Sequence, residues 1–179
     1  MDTYKEDFTI LEHKLFDYLC IHSGEKFSQR ELAKNLNVSP TAIGTSVKKL
    51  LKKKLIKINY VKRINFVFFN RENEKAINLK QINNLKNLYE SNLYYYLKEE
   101  LTSNTTILFG SYLRGEDHKN SDIDLAVFKK TKKQLELSEF ERKLNRKINI
   151  NYYENVNELD KHLKNNIVNG FVLFGGLEL

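Results

Sequence analysis

Apolar residues recur at helical spacing from Phe8 to Ile21, where Leu11, Leu15, Phe16, Leu19 and Cys20 form one stripe that Gly24 ends. Ser28-Gln29-Arg30-Glu31 has the form of a capping box and predicts a second helix burying Leu32, Ala33 and Leu36. Asn37-Val38 reads as a tight turn. Ser39-Pro40 then supplies a cap and a first-turn proline for a third helix reaching about Lys53. That helix turns Ile43, Val47, Leu50 and Leu51 inward, and Thr41, Thr45, Ser46, Lys48, Lys49 and Lys52 outward. Leu55 to Tyr60 and Ile64 to Phe69 alternate as strands and predict a hairpin around Val61-Lys62-Arg63, although the turn lacks Asn-Gly.

Residues 71–101 read as a long connection whose stripe of Ile82, Leu85, Leu88, Tyr89, Leu93, Tyr96 and Leu97 predicts one helix through Lys98. Within it, Tyr94-Tyr95-Tyr96 suits a core or an interface better than base stacking, because adjacent helical residues face different ways. Thr106 to Phe109 is a short β-branched and aromatic run, a buried strand that Gly110-Ser111 breaks. Ser111 is expected to cap a helical turn over Tyr112 to Arg114. The polar loop Glu116 to Asn120 leads into a second strand, Ser121 to Phe128. After the basic connection Lys129 to Lys133, the residues Leu135, Leu137, Phe140 and Leu144 predict an amphipathic helix. Ile148 to Tyr152 alternates as a third strand, Val156 to Ile167 reads as a helix, and Phe171 to Phe174 is a last apolar segment before Gly175-Gly176.

The chemistry concentrates between Gly110 and Phe128. Backbone N–H groups and a hydroxyl exposed where the Gly110-Ser111 turn opens suit a phosphate. Asp122 and Asp124 are two apart on a strand and share a face, opposite Ile123, Leu125 and Val127. Two such carboxylates repel by roughly 1 to 4 kcal/mol at about 4 Å. A divalent cation removes that cost, and hard oxygen ligands suit Mg²⁺ or Mn²⁺. The bland alternative is a solvated turn followed by an edge strand with incidental acids.

Gly110, Ser111, Gly115, Ser121, Asp122 and Asp124 resemble the Gly-Ser, spacer, Asp-x-Asp signature of the polymerase-β-type nucleotidyltransferases, and most closely their minimal branch. The order of elements over about residues 80–176 is similar to that fold. The resemblance implies that Gly110 and Ser111 grip the phosphates of an NTP and that Asp122 and Asp124 are the catalytic and metal-binding acids. It also implies nucleotide contacts from Arg114 and Ser121, with Lys119 a further candidate by charge. A third acid on the next strand helps activate the attacking hydroxyl in such proteins. Its place falls here to Asn149, with Asn151 on the same face and Glu154 at the strand's end.

Helix, helix-turn-helix and basic hairpin resemble a winged helix-turn-helix domain. The expected fold class is therefore α+β: a winged helix-turn-helix in residues 1–70, a linker over 71–79, and a small nucleotidyltransferase fold with a mixed sheet flanked by helices in 80–179. From Lys48 to Arg63 the chain carries eight basic residues and no acid. Such a run on the second helix of the motif and on the wing predicts contact with double-stranded DNA through Lys48, Lys49, Lys52, Lys62 and Arg63. Thr41, Thr45 and Ser46 lie nearer the helix start, where base edges are read. A solvated charged face in a Lys-rich chain is the competing account.

The net charge of +7 on 179 residues sharpens this, because residues 1–70 hold 13 Lys and Arg against 7 Asp and Glu while the remainder is nearly balanced. No apolar run is long enough for a membrane span, and the polar start, Met1 to Asp7, does not resemble a signal peptide; a cytoplasmic protein is expected. Cys20 reads as a core residue, and four scattered histidines suggest no metal site.

Three functions remain open on the sequence. The first is a DNA-binding nucleotidyltransferase moving a nucleoside monophosphate from Mg-NTP to an acceptor hydroxyl. The second is a catalytically weak or inactive nucleotide-sensing transcription regulator. In the third the domain is antitoxin-like and pairs with a small helical partner protein. A homodimer on a palindromic DNA site is expected by analogy with other winged-helix proteins.

Overall fold

The computed structural model describes residues 8–102, 104–128 and 132–176. The chain divides into two compact units, Met1–Ile77 and Asn78–Leu179. Of the basic connection Lys129 to Lys133, the first three residues lie outside the described residues.

In the first unit, α1 (Ile10–Ile21) starts at a capping box in which Thr9 and Glu12 satisfy each other's backbone N–H. A two-residue strand β1 (Phe27–Ser28) runs into α2 (Gln29–Asn35), capped by Ser28 and Glu31 as expected. Asn37 takes a left-handed conformation, and Ser39 caps α3 (Pro40–Lys52) with Pro40 in its first turn. The hairpin β2 (Ile56–Val61) and β3 (Ile64–Phe69) completes the unit as an antiparallel sheet in the order β1-β3-β2. Leu15, Leu19, Leu32, Ile43, Val47, Leu50, Leu55 and Val67 form its core. Helix, helix-turn-helix and two-stranded wing, in that order, make a winged helix.

The hairpin turn is two residues long. Val61 pairs with Ile64, and Lys62 and Arg63 both hold positive φ, 47° and 65°. That is the mirror-image turn whose twist matches paired strands, built without glycine. Two side-chain expectations on α3 are corrected: Ser46 is buried, at 4 % exposure, and Leu51 is 40 % exposed. Helix pitch explains both, since Ser46 sits three residues after Ile43 and four before Leu50, on the apolar face, while Leu51 falls off it.

The segment expected as a linker is mostly helix, because α4 (Glu74–Glu90) begins at Glu74 after a short turn. The single helix expected through Lys98 is two. Asn92, at φ 69°, breaks the chain between α4 and α5 (Leu93–Glu100), and Ile82 is 61 % exposed. The stripe conceals the break because Leu88, Leu93 and Leu97 enter the same core on either side of it.

The second unit is built on a mixed four-stranded sheet, β4 (Thr105–Phe109), β5 (Ile123–Phe128), β6 (Ile148–Tyr153) and β7 (Phe171–Phe174), in the order β6-β5-β4-β7. β5 and β6 are parallel and the other pairs antiparallel. Leu108, Ile123, Leu125, Val127 and Ile148 pack with Leu88, Leu93, Leu97 and Leu144, the last from α7 (Ser138–Leu144), on one face. On the other, Ile107, Phe109 and Ala126 meet Val156, Leu159 and Ile167. The helix expected over Val156 to Ile167 is a 3₁₀ turn, Val156–Glu158, followed by α8 (Lys161–Val168), which Asp160 caps. A short helix α6 (Gly110–Arg114) joins β4 to the loop before β5.

Candidate functional site

The strand expected from Ser121 begins at Ile123, so Asp124 lies on β5 and Asp122 immediately before it, both where the alternation places them. Ile123, Leu125 and Val127 are fully buried, so Asp122 and Asp124 face the other way and are half-exposed. The parallel register sets Asp124 opposite Asn149 on β6. The Asn149 amide uses that position to hold both acids, donating from Nδ2 to Asp122 Oδ2 at 3.0 Å and to Asp124 Oδ1 at 3.3 Å. Asn149 thus stands where the third acid was sought, and supplies a donor in place of a charge.

The antiparallel register brings Phe109 opposite Asp124, and the next residue, Gly110, leaves the strand at φ +80°. A Cβ there would lie 2.6 Å from Asp124 Oδ2. Gly110 therefore serves twice, taking a backbone conformation that L side chains avoid and clearing the space that the carboxylate fills. α6 starts at Gly110 itself, with Phe109 in the capping position and no side-chain cap, so Ser111 lies in the first turn rather than capping it. Its carbonyl accepts from the N–H groups of Glu116 and Asp117 at 3.0 and 3.2 Å, and Gly115 ends the helix in the left-handed region.

The remaining expected nucleotide contacts are engaged within the protein. Ser121 Oγ accepts from the His118 N–H at 3.0 Å and lies 3.2 Å from His118 Nδ1, closing the turn before β5. Arg114 pairs through Nε with Glu116 at 2.7 Å on the surface. Gly110, Ser111, Asp122, Asp124 and Asn149 lie at adjoining ends of β4, β5 and β6; Asn151 lies two residues further along β6, opposite Ala126, and Glu154 is exposed beyond the strand.

Two carboxylates converging on one small donor fit Mg²⁺ or Mn²⁺, which is commonly held by one or two protein carboxylates with water and phosphate completing the shell. No cluster of three or more His, Cys, Asp or Glu able to hold a metal occurs among the described residues.

Sequence reasoning missed what fixes the loop between the two motifs. Asp117 is fully buried, its Oδ1 accepting from Lys80 Nζ at 2.6 Å and from Asn84 Nδ2 at 2.8 Å, and its Oδ2 from Arg146 Nη2 at 3.0 Å. Lys80 Nζ also donates to the Asp117 carbonyl. Asn84 Nδ2 donates to the Tyr112 carbonyl, and Tyr112 Oη donates to the Asn84 carbonyl. Burial first, and the Asp117 charge second, push the Tyr112 hydroxyl well above its ordinary pKa. The available signal was the spacing of Lys80, Asn84 and Leu88, which puts two polar residues on the buried face of α4.

In the first unit, Thr41, Thr45, Lys48 and Lys52 are exposed on α3, and Lys62 and Arg63 are exposed at the turn of the hairpin. Thr45 Oγ1 donates to the Thr41 carbonyl at 3.2 Å. Lys49 is partly occupied, because its Nζ lies 2.8 Å from the Oε1 of Glu12, whose side chain is 2 % exposed.

Residues 92–176 match the family model of the polymerase beta nucleotidyltransferases, and this stretch is a domain of that type. No curated protein matches the chain. Among solved structures, a zinc-responsive MarR family member, Lactococcus lactis ZitR, is 21 % identical and aligns over 57 % of this chain and 69 % of its own, with a TM-score of 0.41. The adhesin competence repressor AdcR of Streptococcus pyogenes is 18 % identical, over 55 % of this chain and 72 % of its own, with a TM-score of 0.42. No helix among the described residues is long and apolar enough to cross a membrane.

Proposed function

We propose that this protein binds double-stranded DNA through its winged helix and transfers a nucleoside monophosphate from an NTP to an acceptor hydroxyl at the Gly110–Asp124 site. The observation that carries the reading is the fit of Gly110 against Asp124 within a matched nucleotidyltransferase domain. Asp122 and Asp124 would hold the Mg²⁺ or Mn²⁺, which when bound stabilises charge on the transferring phosphoryl and the leaving pyrophosphate. Gly110 and Ser111 present the opening of α6 to the nucleotide phosphates, and Asn149 keeps the two carboxylates in register with each other.

The DNA contacts belong to Thr41, Thr45, Lys48, Lys52, Lys62 and Arg63. Lys49 contributes less, since its ammonium already compensates a buried carboxylate. Ser46 is not among them.

One observation favours a second reading. An amide at position 149 accepts no proton, and a site with two acids suits a regulator that senses nucleotide without turning it over. The two are separated by label transfer from α-labelled NTPs with Mg²⁺, comparing the protein with its Asp122→Ala, Asp124→Ala variant. Transfer by the unaltered protein alone supports the enzyme; Mg-NTP binding without any transfer, together with a shift in DNA affinity, supports the sensor.

A further inference from the structure

The lysines of α3 are not equally available to a ligand. Lys48 and Lys52 lie one turn apart on the helix and both are exposed. Lys49, and Lys53 at the C-cap, form the next row round the helix and are taken up by the start of α1. Lys49 Nζ lies 2.8 Å from Glu12 Oε1, and Lys53 Nζ stands 4.1 Å from the centroid of the Phe8 ring. One row of charge is thus withdrawn and the other left open.

Glu12 is the fixed half of its pair. Its side chain is 2 % exposed, against 52 % for that of Lys49. The second carboxylate oxygen, Oε2, accepts from the Thr9 N–H at 3.4 Å, and the Glu12 N–H donates to Thr9 Oγ1 at 3.2 Å, which ties the residue into the first turn of α1. Burial opposes the charge, but Lys49 and Thr9 outweigh it and lower the pKa, so the group is a carboxylate at neutral pH. A lysine that left for a phosphate would strand this buried charge, and breaking such a pair from one side costs more than an exposed ion contact returns. A phosphate that came to the lysine would meet the repulsion of the carboxylate behind it.

We propose that Glu12 is a positioning residue that withholds Lys49 from DNA, so that α3 offers the phosphates one charge fewer than its sequence carries. The inference rests on the reading of the winged helix as the DNA-binding unit and deepens it: the strength of sequence-blind binding is set partly from α1, outside the helix-turn-helix. Weaker sequence-blind binding gives more weight to the contacts of Thr41 and Thr45 near the start of α3.

The test is anisotropy titration of the full chain with a fluorescently labelled duplex of mixed sequence over a series of salt concentrations. Glu12→Gln removes the charge and keeps an acceptor for the Thr9 N–H, and its folding is checked by circular dichroism. Its slope of log affinity against log salt should steepen by about 0.9, the increment of one phosphate neutralised, so that its advantage over the unaltered protein shrinks about 3.5-fold for each fourfold rise in salt. Glu12→Gln, Lys49→Gln should return to the unaltered slope, because it removes a pair whose charges already answer each other. Glu31→Gln, in the capping box of α2, makes the same change in net charge at a carboxylate bound to its own Ser28, and should leave the slope where it was.

Three results overturn the proposal while leaving DNA binding in place. An unchanged slope in Glu12→Gln shows that Lys49 is not released; a shallower slope in the double variant shows that Lys49 already meets a phosphate; equal steepening by Glu31→Gln shows that net charge alone acts. Absence of DNA binding by every protein in the set overturns the parent reading and this inference with it.

Discussion

Gly110, just past the end of β4, and Asp124 on β5 leave no room for a methyl group between them: a Cβ on the glycine would sit 2.6 Å from the Asp124 carboxylate. Because that oxygen ends a side chain, Gly110→Ala should displace the carboxylate more than it unfolds the domain. The positive φ adds about 1–2 kcal/mol of strain. The expected outcome is a modest drop in thermal stability with a much larger loss of Mn²⁺ affinity, read by melting and by metal titration on the same preparation. Equal Mn²⁺ affinity would show that the close approach does not matter to the site.

Asn149→Asp restores a third acid and removes the amide that bridges Asp122 and Asp124. Three carboxylates then crowd together, and each close pair repels by roughly 1–4 kcal/mol. Without metal the variant should melt lower than the unaltered protein at neutral pH, and Mn²⁺ should raise its melting temperature by more. Label transfer should increase. A variant that melts higher without metal would contradict the bridging role.

Asp117→Asn leaves Lys80 and Arg146 buried without their carboxylate. Breaking a buried pair from one side costs about 3–5 kcal/mol. Denaturant unfolding should therefore show the second unit losing most of its stability while the first, followed separately, keeps its own transition.

DNA affinity should respond to Lys48→Ala and Lys52→Ala with a shallower salt dependence, the slope of log affinity against log salt falling by about 0.9 for each phosphate no longer neutralised. Ser46→Ala, at a buried position, should leave both affinity and sequence preference unchanged. A sequence-specific weakening in that variant would restore Ser46 to the interface.

Glu12 predicts an acid limit for the first unit. Burial alone would raise its pKa, but the Lys49 ion pair and the Thr9 hydrogen bonds outweigh it and lower the value below 4.5. A carboxyl depressed by folding gives stability that is full above its unfolded pKa and is lost as pH falls through the folded one. Stability should be flat from neutral pH to about 5 and decline below 4.5. Glu12→Gln should flatten that decline when unfolding is followed against pH.

The geometry of the candidate site was legible in the sequence where it is local. Gly110-Ser111 and Asp122-x-Asp124 announce themselves because each pair must be close in sequence to be close in space, and strand alternation sufficed to place Asn149 beside them. Lys80, Asp117 and Arg146 were illegible for the opposite reason. Their partners lie 37 and 29 residues apart, and each residue alone resembles an ordinary surface charge. Ser46 misled because a hydroxyl on a charged helix looks solvated; only the helical pitch shared with Ile43 and Leu50 says otherwise. The break at Asn92 hid inside a continuous apolar stripe, since tertiary packing on both sides of a turn preserves the pattern.

The spacer between the two motifs is a ruler folded into two closed loops. Its first arc is shut by the Ser111 carbonyl, which takes the N–H of both Glu116 and Asp117; its second is shut by the reciprocal bonds of His118 and Ser121; Asp117 is bolted down between them. Neither arc has slack to pass to the other. A residue inserted before Asp117 must shift the Gly110-Ser111 turn and leave the acids alone, whereas one inserted after it can bulge at Lys119 or Asn120, both exposed. Related chains should therefore vary in length on only one side of this aspartate.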